Sequence, residues 1–488
     1  MNLIKNTMDF ISKNILKVIL TIIFVLSLFI KAMYCFDDSP YFTYNSIYDI
    51  LSGTLCLFIF ILIVKNSDLI QEHINYKVCF IMFLFFSILF IFLVPLKPFS
   101  DMNAIYHGAL HISRFEFYEL LSDNYWSEFP GNIILATFWG ILLIPLPKSL
   151  VTIKIINAIT IYFIAVITRN IAKEYGIGKY NLVYLFTLTF SPLFLYINHV
   201  YFDLPVILLC MLSIYLFTKK KNIIFVFTLL GITKCIRSSA SIIMLAILFV
   251  YVFNSISKGK NCLKRLTELI LALIIFILLG FALPKLVLNL YFGDSSVKSY
   301  SGWNQIYIGI NENEFGFMDN DFSYDRNLDD IIERIHDYGP RKMAKIITKK
   351  TFWLWSQGTY QAERYAFGAD VNDKFQYNTF LTRYLMTSDQ TLRKIINAFM
   401  RSQYLLLFLL MIIAFWKEKD MSTYRLFYYI IFGTFAIMLV YELKSRYILQ
   451  LSPLMIIFAV RSIDNFCIHI KSNRTADLVY DKRNNHYK

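Results

Sequence analysis

The chain has 488 residues, of which 57% are hydrophobic and only 17% charged, and it carries a formal net charge of +14. That balance excludes an ordinary soluble domain, where about half the residues are apolar and about a quarter charged. The basic excess reads as Lys and Arg gathered in the cytoplasmic loops of a membrane protein, not as a nucleic-acid surface, and the seven scattered cysteines with no CxxC pair argue against a disulfide framework or zinc site.

The N-terminal "MNLIKNTMDFISKNILK" runs into an apolar stretch too long for a signal peptide, with no small-residue cleavage site behind it, so it reads as a retained first span. Apolar runs approaching or reaching the ~20 residues that cross ~30 Å of hydrocarbon recur along the chain. Candidate spans are 14–35, 47–64, 77–96, 151–168, 181–197, 204–218, 222–235, 238–254, 267–290, 398–416, 424–441 and 446–461. Lipid forces each span to satisfy its backbone internally, which predicts helices; a β-barrel would alternate in short segments instead. The expected fold is an all-α polytopic membrane protein with about 12 transmembrane helices.

One apolar segment, 131–146, is short and stopped by Pro-Leu-Pro, which leaves it either a span or a helix along the interface. Charge decides. The basic connectors "TKKKN" (218–222) and "SKGKNCLKR" (257–265), and the tail with Arg461, Lys471, Arg474, Lys482 and Arg483, belong inside. "RNIAKEYGIGKY" (169–180) joins them, with both termini, only if 131–146 does not span. The loops 97–130, 198–203, 234–238, 291–397 and 442–446 then all lie outside. The expected organisation is a two-helix hairpin (1–64), a membrane core (65–290), an external loop domain (291–397), a three-helix membrane segment (398–461) and a cytoplasmic tail (462–488). In the loop domain Ile331, Ile332 and Ile335, then Met343, Ile346 and Ile347, repeat at helical spacing around Gly339-Pro340.

The outer loops hold an unusual set of polar groups: Asp101 after the third span, Asp203 after the fifth, Lys234 and Arg237 at the turn of a short hairpin, and Glu442, Lys444 and Arg446 before the last span. Charge at membrane depth is expensive and faces a polar cavity or a partner, although any one of these groups alone reads as an interfacial anchor. In "HGALH", His107 and His111 share a helical face; that spacing suits a metal, but no third ligand accompanies it in the sequence.

These features, in this order, resemble the GT-C class of integral-membrane glycosyltransferases, and within it the group of protein O-mannosyltransferases and lipid A aminoarabinose transferases. "PFSDMNAIYHGALHI" is similar to the acid motif of the first external loop, and "YWSEFPGNIILATFWGIL" to the segment leading into an interfacial helix. "SPLFLYINHVYFDLPVILL" resembles the second acid loop, "GITKCIRSSASIIMLA" an Arg-bearing segment, "GWNQIYIGINENEFGFMDND" an external loop of Gram-positive members, and "ELKSRYILQLSPLMII" the closing span. The likeness covers about residues 97–461. It departs at Met102, where the mannosyltransferases carry a second acid, and at the first two spans, which are extra.

The resemblance implies a polyprenyl-phosphate sugar donor, an extracytoplasmic acceptor (surface glycan, teichoic acid, lipid or protein) and inversion at the anomeric carbon. The acceptor hydroxyl needs a base and the departing lipid phosphate needs cations. The expected roles are Asp101 as general base, Asp203 orienting a substrate or a metal, Lys234, Arg237 and Arg446 on the phosphate, Glu442 paired with a cation, and Tyr106 beside Asp101. A divalent metal at His107 and His111 is left open. The richness in Ile, Lys, Asn, Phe and Tyr points to an AT-rich genome and a bacterial plasma membrane. Two other readings remain: a transporter or flippase of a lipid-linked glycan, against which stands the absence of an internal repeat, and a glycan polymerase or ligase.

Overall fold

The computed structural model describes residues 2–29, 46–256, 262–293, 302–317, 326–367, 375–385, 391–418 and 421–467. The end of the first expected span (30–35), all of "SKGKN" (257–261) and the tail beyond residue 467 lie outside the described residues. Within them the chain is helical throughout, with one isolated β-bridge, Leu96 to Phe375.

Every expected span falls on helix as far as it is described. Seven helices are long and apolar enough to cross a bilayer: Lys5–Leu28, Ile47–Lys65, Tyr76–Leu93, Leu150–Glu174, Leu263–Phe292, Thr391–Lys417 and Ser445–Cys467. An eighth crossing is counted if Tyr180–Leu188 and Ser191–Asn198, bent by 43° at the break before Pro192, form one span. The chain thus has the helices of a multi-pass membrane protein. The count of twelve is not reached, because Met421–Met438 is not among the long apolar helices and Asp203–Thr218, Ile223–Ile236 and Ala240–Asn254 are shorter than a span, rising only about 20–25 Å at ~1.5 Å per residue. Polar caps start several helices: the Asn75 side chain accepts from the amides of Lys77 and Val78, Ser149 from Thr152, and Asn222 from Ile224.

The contacts sort the connections onto two ends. At one end the Asp9 carboxylate binds Arg425, Asp68 pairs with Lys179, Glu174 with Lys219, and Glu418 with Arg461. This end, which gathers the basic connectors, is called the basic end below. Residues 94–101, 197–203, 237 and 440–447 meet at the other. The segment Pro130–Leu143 stays at that second end. Its helix packs on Asp101–Arg114, where a side chain on Gly140 would collide with Ile112, and the Trp139 indole donates to the carbonyl of Val200 at 2.6 Å. Its backbone therefore does not return to the basic end before Leu150–Glu174 does.

The 302–385 region is not set apart from the membrane helices. Helix Leu328–Ser356 starts with a capping box at Asn327 and kinks at Gly339 (φ 64°), ahead of Pro340. It ends in Trp353-Leu354-Trp355, which are buried; the Trp355 ring lies 6.4 Å from that of Phe408 and 5.9 Å from that of Phe435. Lys350 Nζ, wholly buried, donates to the carbonyl of Gly309 at 2.6 Å, and the Leu443 amide donates to that of Gly316 at 2.6 Å. Gly309 itself sits so close to the backbone of Val440 and Tyr441 that no side chain fits there. This clasp fixes the strand-like segment that leads to Arg446.

Candidate active site

Helix Asp101–Arg114 begins on a constrained residue. Ser100 has φ 50°, a left-handed state that costs a side-chain-bearing residue of order 1–3 kcal/mol and gathers at functional sites. The next side chain, Asp101, accepts a 2.6 Å hydrogen bond from the hydroxyl of Tyr201. Tyr201 sits in a loop held from several sides: Asn157 donates to the carbonyls of Ile197 and His199, and Asn198 to those of Val94 and Ala366. The Tyr201 ring carries the Arg446 guanidinium 4.7 Å from its centroid, and Arg446 also donates to the Tyr365 hydroxyl at 3.1 Å. Cation–ring contacts of this kind gain strength when desolvated.

Two residues along, Asp203 is 4% exposed and forms an ion pair with Arg237. Arg237 lies over the Tyr447 ring at 5.1 Å. The Tyr447 hydroxyl donates to Glu442 at 2.7 Å, and Lys444 binds the other Glu442 oxygen at 2.6 Å. Burial alone would raise the Glu442 pKa, but Lys444, Tyr447 and Arg446 hold it below the usual carboxylate range. His199 is 1% exposed, packed between the rings of Tyr196 (4.7 Å) and Tyr365 (4.4 Å), with Nδ1 3.3 Å from Asp203. Burial, then Arg446 and Arg237, push its pKa far below the ordinary imidazole value.

Beside this network opens a cavity of about 690 Å³, lined by Asp101, Asn103, His107, His111, Asp123 and Tyr125 among others. A separate narrow cleft is lined by Asp203, Arg237, Arg446, Tyr447 and Gln450. Tyr201 ties the two together: its hydroxyl holds the carboxylate on the cavity and its ring holds the guanidinium on the cleft.

Asp101, Asp203, Arg237, Glu442 and Arg446 therefore converge, as the outer-loop pattern predicts. Two expected members do not. Lys234 lies one helical turn before Arg237 and turns its ammonium over the Phe281 ring, 4.3 Å from its centroid, against helix Leu263–Phe292. Tyr106 lies beside the His107 ring at 5.3 Å, and the phenol on Asp101 is that of Tyr201. Asp203 is engaged by Arg237, which makes it the holder of that guanidinium. His111 Nδ1 sits 3.0 Å from Glu116, and among the described residues no three His, Cys, Asp or Glu side chains group as a metal site. Met102 is 1% exposed, so the position where the resembling family has a second acid faces the protein interior here.

Tyr201, Tyr365, Tyr447 and His199 escape the sequence reading. The only signal was proximity: Tyr201 is two residues from Asp203 and Tyr447 follows Arg446, while Tyr365 comes from the long loop with no motif around it.

No protein-family model matches the chain, and no curated protein or solved structure matches it.

Proposed function

We propose that the chain is a GT-C-like membrane glycosyltransferase that moves a sugar from a polyprenyl-phosphate donor to an extracytoplasmic acceptor. The observation that carries this reading is Tyr201, which joins a cavity-facing carboxylate to a partly buried guanidinium across one aromatic ring. Sugar transfer from a lipid phosphate asks for this pairing: a base on the acceptor side and positive charge on the phosphate side.

In the proposed reaction an acceptor hydroxyl in the cavity attacks the anomeric carbon. Its proton passes to Asp101 as the bond from that carbon to the phosphate oxygen breaks, with inversion. The negative charge left on the lipid phosphate is met by Arg446 and Arg237 in charge-assisted hydrogen bonds. Asp203 holds Arg237, and the stack of Tyr201, Tyr365 and Tyr447 holds Arg446. Tyr201 keeps the Asp101 carboxylate aimed. The side assignment follows from charge: the opposite end carries Lys219, Lys220 and Lys221 and the basic 169–180 turn, which belong in the cytoplasm. Twelve crossings complete this topology.

The test is the purified chain in proteoliposomes supplied with a polyprenyl-phosphate sugar labelled in the sugar. The reading expects label on an acceptor and release of lipid phosphate. Unmodified sugar appearing on the far side would make the protein a transporter, and a growing ladder of products would make it a polymerase.

A further inference from the structure

At the basic end a cavity of about 850 Å³ opens between the close of helix Leu150–Glu174, the 218–222 turn, and helices Ala240–Ile256, Cys262–Ile277 and Met421–Met438. Lys220, Lys221 and Arg265 line it, with the hydroxyl-bearing Thr218, Ser422 and Thr423. Neighbouring charges are already engaged: Glu174 holds Lys219 at 2.5 Å, and Asp9 holds both Arg425 at 2.9 Å and the Tyr429 hydroxyl at 2.7 Å. Arg425 and Glu174 also line the cavity, each already in an ion pair; that leaves three cations with one carboxylate, Glu268, and none of the three forms an ion pair among the described residues. Like charges gathered in a recess raise the local potential and draw in an anion.

The turn adds a second observation. Lys220 takes φ 53° at the position where a helix end commonly places glycine. A side chain kept there at a backbone cost is explained when the side chain itself is needed. The cavity is also apolar on its inner side, at Ile223, Val250 and Leu426. The helices that form its wall also expose Leu266, Ile270 and Phe249. A charged recess whose walls come from helices with bare apolar residues has the two halves of a lipid site.

We propose that this cavity binds the phosphate of an anionic membrane lipid, with Lys220, Lys221 and Arg265 on the phosphate oxygens and the acyl chains along those apolar faces. The site is remote from Asp101 and does not depend on the reaction proposed there. Phosphate chemistry also admits a soluble source, a free phosphate compound, and the test separates the two.

The full-length protein is reconstituted in nanodiscs of phosphatidylcholine, and binding of fluorescent phosphatidylglycerol is titrated with and without inorganic phosphate. Saturable binding that a phosphatidylcholine probe does not reproduce is expected. The triple variant Lys220→Gln, Lys221→Gln, Arg265→Gln should bind about a hundredfold more weakly, at about fivefold per basic residue. Glu268→Gln, which keeps every cation, should bind several-fold more tightly, so misfolding of the triple variant does not shelter the proposal. Equal binding of both probes, or a triple variant that binds like the parent, overturns it. Displacement by millimolar inorganic phosphate alone assigns the recess to a soluble phosphate and overturns the lipid assignment.

Discussion

The two ends of the bundle bury their carboxylates to different degrees. At the basic end the carboxylates of the ion pairs keep some exposure, from 9% at Glu418 and 17% at Asp9 to 57% at Asp68. At the site end Asp203 and Glu442 are buried, and each is tied into a chain of phenols and guanidinium groups. Exposed pairs cost little and add little. Buried ones carry a desolvation cost that an apolar replacement would avoid. The contrast marks the site end as the place where buried carboxylates are retained at a cost that stability alone does not explain.

That contrast can be broken by mutation. Asp203→Leu or Arg237→Met alone should destabilise the protein by about 3–5 kcal/mol, because each strands the partner in a low-dielectric site. The double substitution should recover most of the loss, as read from thermal unfolding in detergent, while transfer activity stays absent. A double variant that unfolds as readily as the single ones would make the pair structural.

Lys350 sharpens the same point through pH. Burial pulls its pKa down to about 7, with Glu442 opposing. The unfolded lysine keeps its proton up to about pH 10.4, so between those values the unfolded state binds more protons. Stability should therefore rise from pH 7 toward pH 10, by up to about 1.4 kcal/mol per pH unit. Lys350→Met should flatten that rise, and an unchanged slope would remove Lys350 from the clasp.

Tyr201→Phe keeps the ring under Arg446 and deletes only the hydrogen bond to Asp101. A bond to a charged group is worth about 1.5 kcal/mol or more, so kcat should fall about tenfold with KM little changed. Tyr201→Leu, which also removes the ring under Arg446, should lower kcat further. At the basic end Lys219→Ala should leave the melting temperature and transfer within error. A large effect there would end the contrast between the two ends.

Much of this architecture was readable beforehand. The apolar runs located the helices, and the basic connectors placed the 97–130, 198–203, 234–238 and 442–446 loops together, so Asp101, Asp203, Arg237, Glu442 and Arg446 could be grouped before any geometry was known. The rotation of each helix about its axis was not readable. A span apolar on all sides carries no stripe to say which way Lys234 faces, and the spacing in the helix after Asp101 did not bring Tyr106 to its carboxylate; both turned to other neighbours. Nor was Tyr365, which arrives from a loop whose fold depends on long-range packing of Trp355 and Tyr360 against the membrane helices. Short helices such as Asp203–Thr218 also hid the span count, because apolar character marks burial in protein as well as in lipid.

The most direct measurement compares the parent protein with Asp101→Asn in proteoliposomes carrying labelled polyprenyl-phosphate sugar, at matched expression and melting temperature. Transfer to the acceptor should fall about 10²–10⁴-fold, the usual contribution of a positioned general base, while donor binding persists through Arg237 and Arg446. Full transfer by a folded Asp101→Asn protein would contradict the assignment.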